Sequence, residues 1–191
     1  MFIVLFSFFA TFLVFTPCLS QGQVTKSGGN QVWKQINLLP VCFEGRGDKP
    51  GELTYLLDGT MVGAMKLVYK SGSIRCAHSE AYKSRWGCYH FSHPSIYKHP
   101  LNIIVTDVAK NKVYPLDKHI APGWSKPGLW YYLPFTDSLH SNELVFTNYL
   151  DPFYLPQYGR LQIWYGEDLK NWYDSDNVGR VCVDVFIHGL S

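Results

Sequence analysis

The chain has 191 residues, 47% of them hydrophobic and 16% aromatic, with a formal net charge of +2. That length supports one domain with a full core, and that composition excludes intrinsic disorder. The basic residues are scattered, which excludes a nucleic-acid footprint or a polyanion-binding block.

Phe2 to Phe15 is an unbroken apolar run, followed by Thr16-Pro17-Cys18-Leu19-Ser20-Gln21. A bilayer span needs about 20 apolar residues, so this shorter run with small residues after it predicts a signal peptide over 1–20. No second apolar run follows, so the mature protein is expected to be secreted, extracellular and free of membrane spans. Residues 21–31 are polar and Gly-rich and predict a flexible leader, leaving 32–191 as a single domain.

Without Cys18 four cysteines remain, Cys42, Cys76, Cys88 and Cys182. An even number in a secreted chain predicts two disulfides, with three connectivities open. Proximity favours Cys76 with Cys88, and Cys42 with Cys182 would tie the first strand to the last.

Strands are expected within 32–43, at Leu53–Leu57, Ala64–Tyr69 and Ile74–Cys76, with a turn at Lys70–Ser73. Glu44 to Gly51 is rich in Gly and Pro and predicts a surface loop. It carries Arg46-Gly47-Asp48, a tripeptide that integrins bind; chance occurrence is the competing reading. His78, His90, His93 and His99 surround Cys88, but their spacing matches no closed zinc site, so polar loop histidines are expected. Only Ser79–Trp86 has helical periodicity.

Leu101–Asp107 predicts a buried strand with Lys112–Leu116 as its hairpin return. His119 to Pro134 interleaves Trp124, Trp130 and Tyr132 with three prolines, which excludes a central strand. These rings either offer a platform on which sugar rings stack or cover the end of the core; the second is the stronger expectation. Glu143–Asn148 is a further strand, with Pro152–Tyr158 leading into a final hairpin.

That hairpin pairs Leu161, Ile163 and Tyr165 with Val181, Val183 and Val185 across Gly166–Arg180, a connection longer than most hairpin loops. The loop carries Glu167, Asp168, Asp174, Asp176 and Asn177. Asp168, Asp174, Asp176 and Asn177 are the expected ligands of a Ca2+ ion, which takes six to eight hard oxygen donors. The competing reading is a solvated turn. Short strands with turns between them predict an all-β chain folded as one disulfide-stabilised β-sandwich. No nucleophile elbow, zincin helix or phosphate-binding glycine loop is present, so no enzymatic activity is expected.

Leu161 to Asp168, Asp176 to Gly179 and Val181 to Val185 resemble the ending of a module in secreted cnidarian proteins, coral skeletal organic matrix proteins among them. The resemblance extends through Met65–Val68, Ser71-Gly72, Arg75-Cys76, Trp86-Gly87-Cys88 and Asn142–Val145. It implies secretion and a matrix setting. The same hairpin is more distantly similar to the calcium loop of bacterial galactose-specific lectins, which implies a galactose-binding-like or jelly-roll sandwich, with Asp168 as the first acid and Asp176 with Asn177 as the amide pair. The expected function is therefore a structural or interaction protein of an extracellular, skeletal-type matrix, with matrix proteins, glycans and integrin as partners. The alternative is a calcium-dependent carbohydrate-binding, lectin-like module.

Overall fold

The structure is a computed structural model that describes residues 32–190. The signal peptide and leader expected over 1–31 lie outside the described residues. In chain order the elements are β1 (Lys34–Gln35), β2 (Val41–Glu44), β3 (Gly51–Thr54), β4 (Thr60–Arg75), α1 (Pro94–Lys98), β5 (Ile103–Asp107) and β6 (Lys112–Tyr114). There follow β7 (Glu143–Thr147), β8 (Phe153–Leu155), β9 (Arg160–Tyr165), α2 (Gly166–Lys170) and β10 (Val178–Leu190).

Two antiparallel sheets form, as the alternating pattern predicts. One runs β1-β10-β4-β7, with β2 also on β10 and β8 also on β4; the other runs β3-β9-β5-β6. Val181, Val183, Val185 and Ile187 of β10 pack inward with Met65 and Leu67 of β4. Leu161, Ile163 and Tyr165 of β9 join Ile103 and Val105 of β5 in the same core. Each fully buried aliphatic side chain contributes about 1.5–3 kcal/mol relative to exposure, so these strands hold the sandwich shut.

The final hairpin is not formed. β9 and β10 belong to opposite sheets, so the segment between them crosses the end of the sandwich instead of turning back. The turn expected at Lys70–Ser73 is also absent. β4 runs unbroken through it, because β10 opposes it from Val178↔Arg75 to Leu190↔Met61. The register shifts by one residue at Lys70, and nearby Gly72, at φ +90, pairs with Val181 where any side chain would strike the Arg180 carbonyl.

The β5–β6 hairpin forms as expected, and Pro152–Tyr158 contains the short strand β8. The helical periodicity of Ser79–Trp86 yields only a 3-10 turn at Glu80–Tyr82. Helix α1 instead starts where Pro94 takes the first helical position and His93 Nδ1 accepts from Ser95 N. Both disulfides, Cys42–Cys182 and Cys76–Cys88, are present, the first joining directly paired residues of β2 and β10. No helix among the described residues is long and apolar enough to cross a membrane.

Candidate functional site

The crossing from β9 to β10 is built on one buried amide. Asn102, immediately before β5, accepts from Gly166 N at its carbonyl (2.7 Å) and from Glu167 N at Oδ1 (3.0 Å). Its Nδ2 donates to Gly128 O at 2.7 Å. A single side chain thus ties α2 to the proline-rich aromatic segment. Asn102→Ala is expected to cost about 2–4 kcal/mol, because it strands a buried N–H and a buried C=O; urea denaturation checks it.

Helix α2 is one turn long and ends at Asn171 in the left-handed conformation. That turn sends the adjacent acids Glu167 and Asp168 into different surroundings. Glu167 is buried, with Oε1 accepting from Trp130 Nε1 at 2.9 Å and Oε2 without a partner among the described residues. Burial pushes its pKa up to about 8; contacts with Trp130 and Asn177 oppose the shift, and the Asp176 and Asp174 charges add to it. Asp168 is also buried, but its oxygens accept from the backbone N–H groups of Asp48 (2.9 Å) and Lys49 (3.3 Å). Burial raises its pKa, partly offset by those two amides.

The Arg46-Gly47-Asp48 loop is exposed, as expected, and it is tied to the acidic crossing. Besides the Asp48 amide on Asp168, Arg46 donates to Ser175 O at 2.8 Å, and the Asp48 carboxylate lies 3.6 Å from Lys110 Nζ. Gly47 (φ +89) and Asp48 (φ +54) hold the left-handed backbone that brings two successive N–H groups onto Asp168. Asn177 reaches the same region from the other side, its Nδ2 donating to Gly45 O at 3.0 Å while its buried Oδ1 has no partner among the described residues.

Two expectations need correcting here. The four oxygens of Asp168, Asp174, Asp176 and Asn177 do not meet at one point, because the Asp168 carboxylate is consumed by the Asp48–Lys49 backbone. Among the described residues no three acids, histidines or cysteines converge with the spacing of a metal site. Trp130, expected on a sugar platform, is fully buried and holds Glu167 from below.

Trp124 does reach the surface, at 46% exposure, and the structure brings it three unexpected partners. Its ring centroid lies 4.7 Å from that of Trp172 and 5.8 Å from that of Tyr173, and His93 lies against it at 4.2 Å. Tyr132 is half exposed but outside this group of rings. Trp172 N donates to Glu167 O, and Trp172-Tyr173 run directly into Asp174–Asp176. An exposed aromatic face therefore borders the buried acids Glu167 and Asp168 and the half-buried Asp174 and Asp176. Only the run of aromatic and acidic residues at 172–176 signals this pairing in sequence.

No protein-family model and no curated protein matches the chain. Among solved structures it is similar to AJLec from the sea anemone Anthopleura japonica, with a TM-score of 0.75 and 30% identity over 83% of this chain and 98% of that one. The chain belongs to the AJLec family. This family membership confirms the expected cnidarian likeness at the level of a lectin-like β-sandwich, and the paired disulfides agree with an extracellular fold. It lends no support to a skeletal-matrix assignment.

Proposed function

We propose that the chain is a secreted, lectin-like glycan-binding protein, without enzymatic activity, that takes sugars at the end of the sandwich crossed by α2. The observation that carries this reading is the Trp124–Trp172–Tyr173 face beside the acidic crossing. Aromatic faces stack on the apolar side of a sugar ring, while nearby oxygens orient its hydroxyls. Kinship with AJLec supports glycans over matrix proteins as partners.

Calcium would enter beside this face through two oxygens alone, because Glu167, Asp174 and Asp176 do not converge with the spacing of a metal site. Glu167 Oε2 and Asn177 Oδ1 are hard, buried oxygens without protein partners among the described residues, and the Asp174 and Asp176 carboxylates act on Glu167 electrostatically. Those two oxygens would hold it, and when bound it supplies a hard cationic contact for sugar hydroxyls. Asp168 then serves as a positioning residue that fixes the Arg46–Lys49 loop against the crossing.

A glycan array probed with calcium and with chelator tests the reading. Binding is expected to weaken at least about tenfold in Trp124→Ala, equivalent to ~1.4 kcal/mol, and in chelator. An array with no signal in calcium overturns the glycan reading. Binding that is indifferent to chelator removes calcium and leaves the aromatic platform standing.

A further inference from the structure

The open side of the sandwich carries a second feature. Strand β6 is the last strand of its sheet, and β7 ends the other. A cavity of about 530 Å³ lies against them, and a second of about 650 Å³ shares Tyr114 and Leu116 with it. These volumes match those of small-molecule sites.

Three observations at the first cavity point to a ligand. Phe135, on its rim, is fully exposed (104%), and its backbone is left-handed at φ +61. A bulky residue adopts that conformation at a cost, and here the cost displays a ring to water instead of burying it. Tyr114, in the wall shared by both cavities, is buried, yet its hydroxyl has no partner among the described residues. Its ring is fixed by stacking on Phe146 (5.2 Å) and by the edge contact with Phe153 (5.8 Å). Lastly, Tyr69 N donates to Asn142 O and Asn148 N to Gly63 O, so the even-numbered residues of this strand face β4. Alternation then turns the backbone groups of Glu143, Val145 and Thr147 toward the strand's free edge, and all three line the cavity.

The lining also limits the charge of a ligand. It contains no Lys or Arg, and its one carboxylate, Glu143, is paired with Lys66 at 3.1 Å. Burial, with Lys118 and Lys112 nearby, pushes the His119 imidazole toward its neutral form. Phosphates, sulfates and acidic sugars find no Lys or Arg in that lining to pair with. An aromatic face above hydroxyls and backbone amides is the donor set that a neutral sugar uses.

We infer that the groove between β6 and β7 is a second saccharide site, for neutral hexoses, with Phe135 stacking on the ring and the Tyr114 hydroxyl and the β7 edge taking its hydroxyls. The site needs no metal and is separate from the acidic crossing. One chain then carries two sugar sites and cross-links glycans without a partner subunit.

Saturation-transfer NMR with methyl glycosides of galactose, glucose and mannose, in chelator, tests this on the whole secreted chain. Transfer to at least one glycoside is expected, undiminished in Trp124→Ala and weakened at least tenfold in Phe135→Ala, whose ring packs on nothing. Tyr114→Phe is expected to weaken binding without lowering the melting temperature of the sugar-free protein, because the hydroxyl it deletes is unpaired. Absence of transfer in chelator overturns the second site and leaves the calcium-dependent one untouched. Transfer indifferent to Phe135→Ala also overturns it, as does a dimer in sedimentation that Phe135→Ala dissolves, which would make the groove a contact between copies.

Discussion

In chelator, the folded domain is expected to lose stability as pH rises from about 4.5 to about 8, and Glu167→Gln is expected to remove most of that loss. Burial lifts the Glu167 carboxyl from its ordinary 4.5 to about 8. Below the lower value both folded and unfolded chains hold the proton, so the group contributes nothing to pH dependence. Between the two values the unfolded chain ionises while the folded one stays protonated, and stability falls by up to ~1.4 kcal/mol per pH unit. The full effect is of the order of a few kcal/mol at pH 8. Asp168 shares the sign, since burial outweighs its two backbone amides. His119 opposes it below its ordinary 6.5, because burial favours its neutral form. Glu52, held down by hydrogen bonds from Gln162 and Arg160, titrates below the window.

The glutamine variant isolates Glu167 from these neighbours. Its amide oxygen still accepts from Trp130 Nε1, so packing is preserved while the ionisation disappears. Urea midpoints measured across the window should converge at the acidic end and diverge toward pH 8, with the variant the more stable. Parallel curves would show that Glu167 stays ionised in the fold.

Strands and disulfides were legible in the sequence because both have short-range signals. Alternation placed Leu161, Ile163 and Tyr165 on one buried side, and cysteine spacing favoured the observed pairing. The sheet to which each strand belongs has no such signal. Periodicity in β9 and β10 reports a buried face, and the same pattern suits a hairpin or two strands facing each other across a core. The length of the connection is the one clue, since fifteen residues, Gly166 to Arg180, suit a cation loop and equally a crossing from one sheet to the other.

The acidic crossing is legible in the sequence, but the surroundings of each acid are not. Glu167 and Asp168 are neighbours of the same chemical type, and a helical turn too short to show periodicity separates their surroundings. Asp168 is satisfied by amides from a loop about 120 positions earlier, a relation that no local pattern contains. Similarly, Trp124 and Trp130 are indistinguishable by type. One reaches solvent and the other is buried, because the bridge of Tyr131 to Leu101 and Ile120 pins the chain beside Trp130 to the core.

Loss of the Cys42–Cys182 bond is expected to be the most damaging single change to the fold. The bond spans 140 residues and joins β2 to β10, the strand on which the larger sheet is assembled. By chain entropy, opening a loop of that length frees the unfolded state by about 5 kcal/mol, against about 3 kcal/mol for the 12-residue span of Cys76–Cys88. The total stability of a domain is only about 5–15 kcal/mol, so the paired substitution Cys42→Ser with Cys182→Ser should leave a marginal fold. Cys76→Ser with Cys88→Ser should leave a folded protein with a lower melting temperature. The crossing should feel the first change more, since β2 leads directly into the Arg46–Lys49 loop that clamps Asp168. Chemical denaturation of both double variants, with tryptophan fluorescence as the signal, gives the two losses side by side. Equal losses would mean that residual structure in the unfolded chain, and not loop length, sets the contribution of each bond.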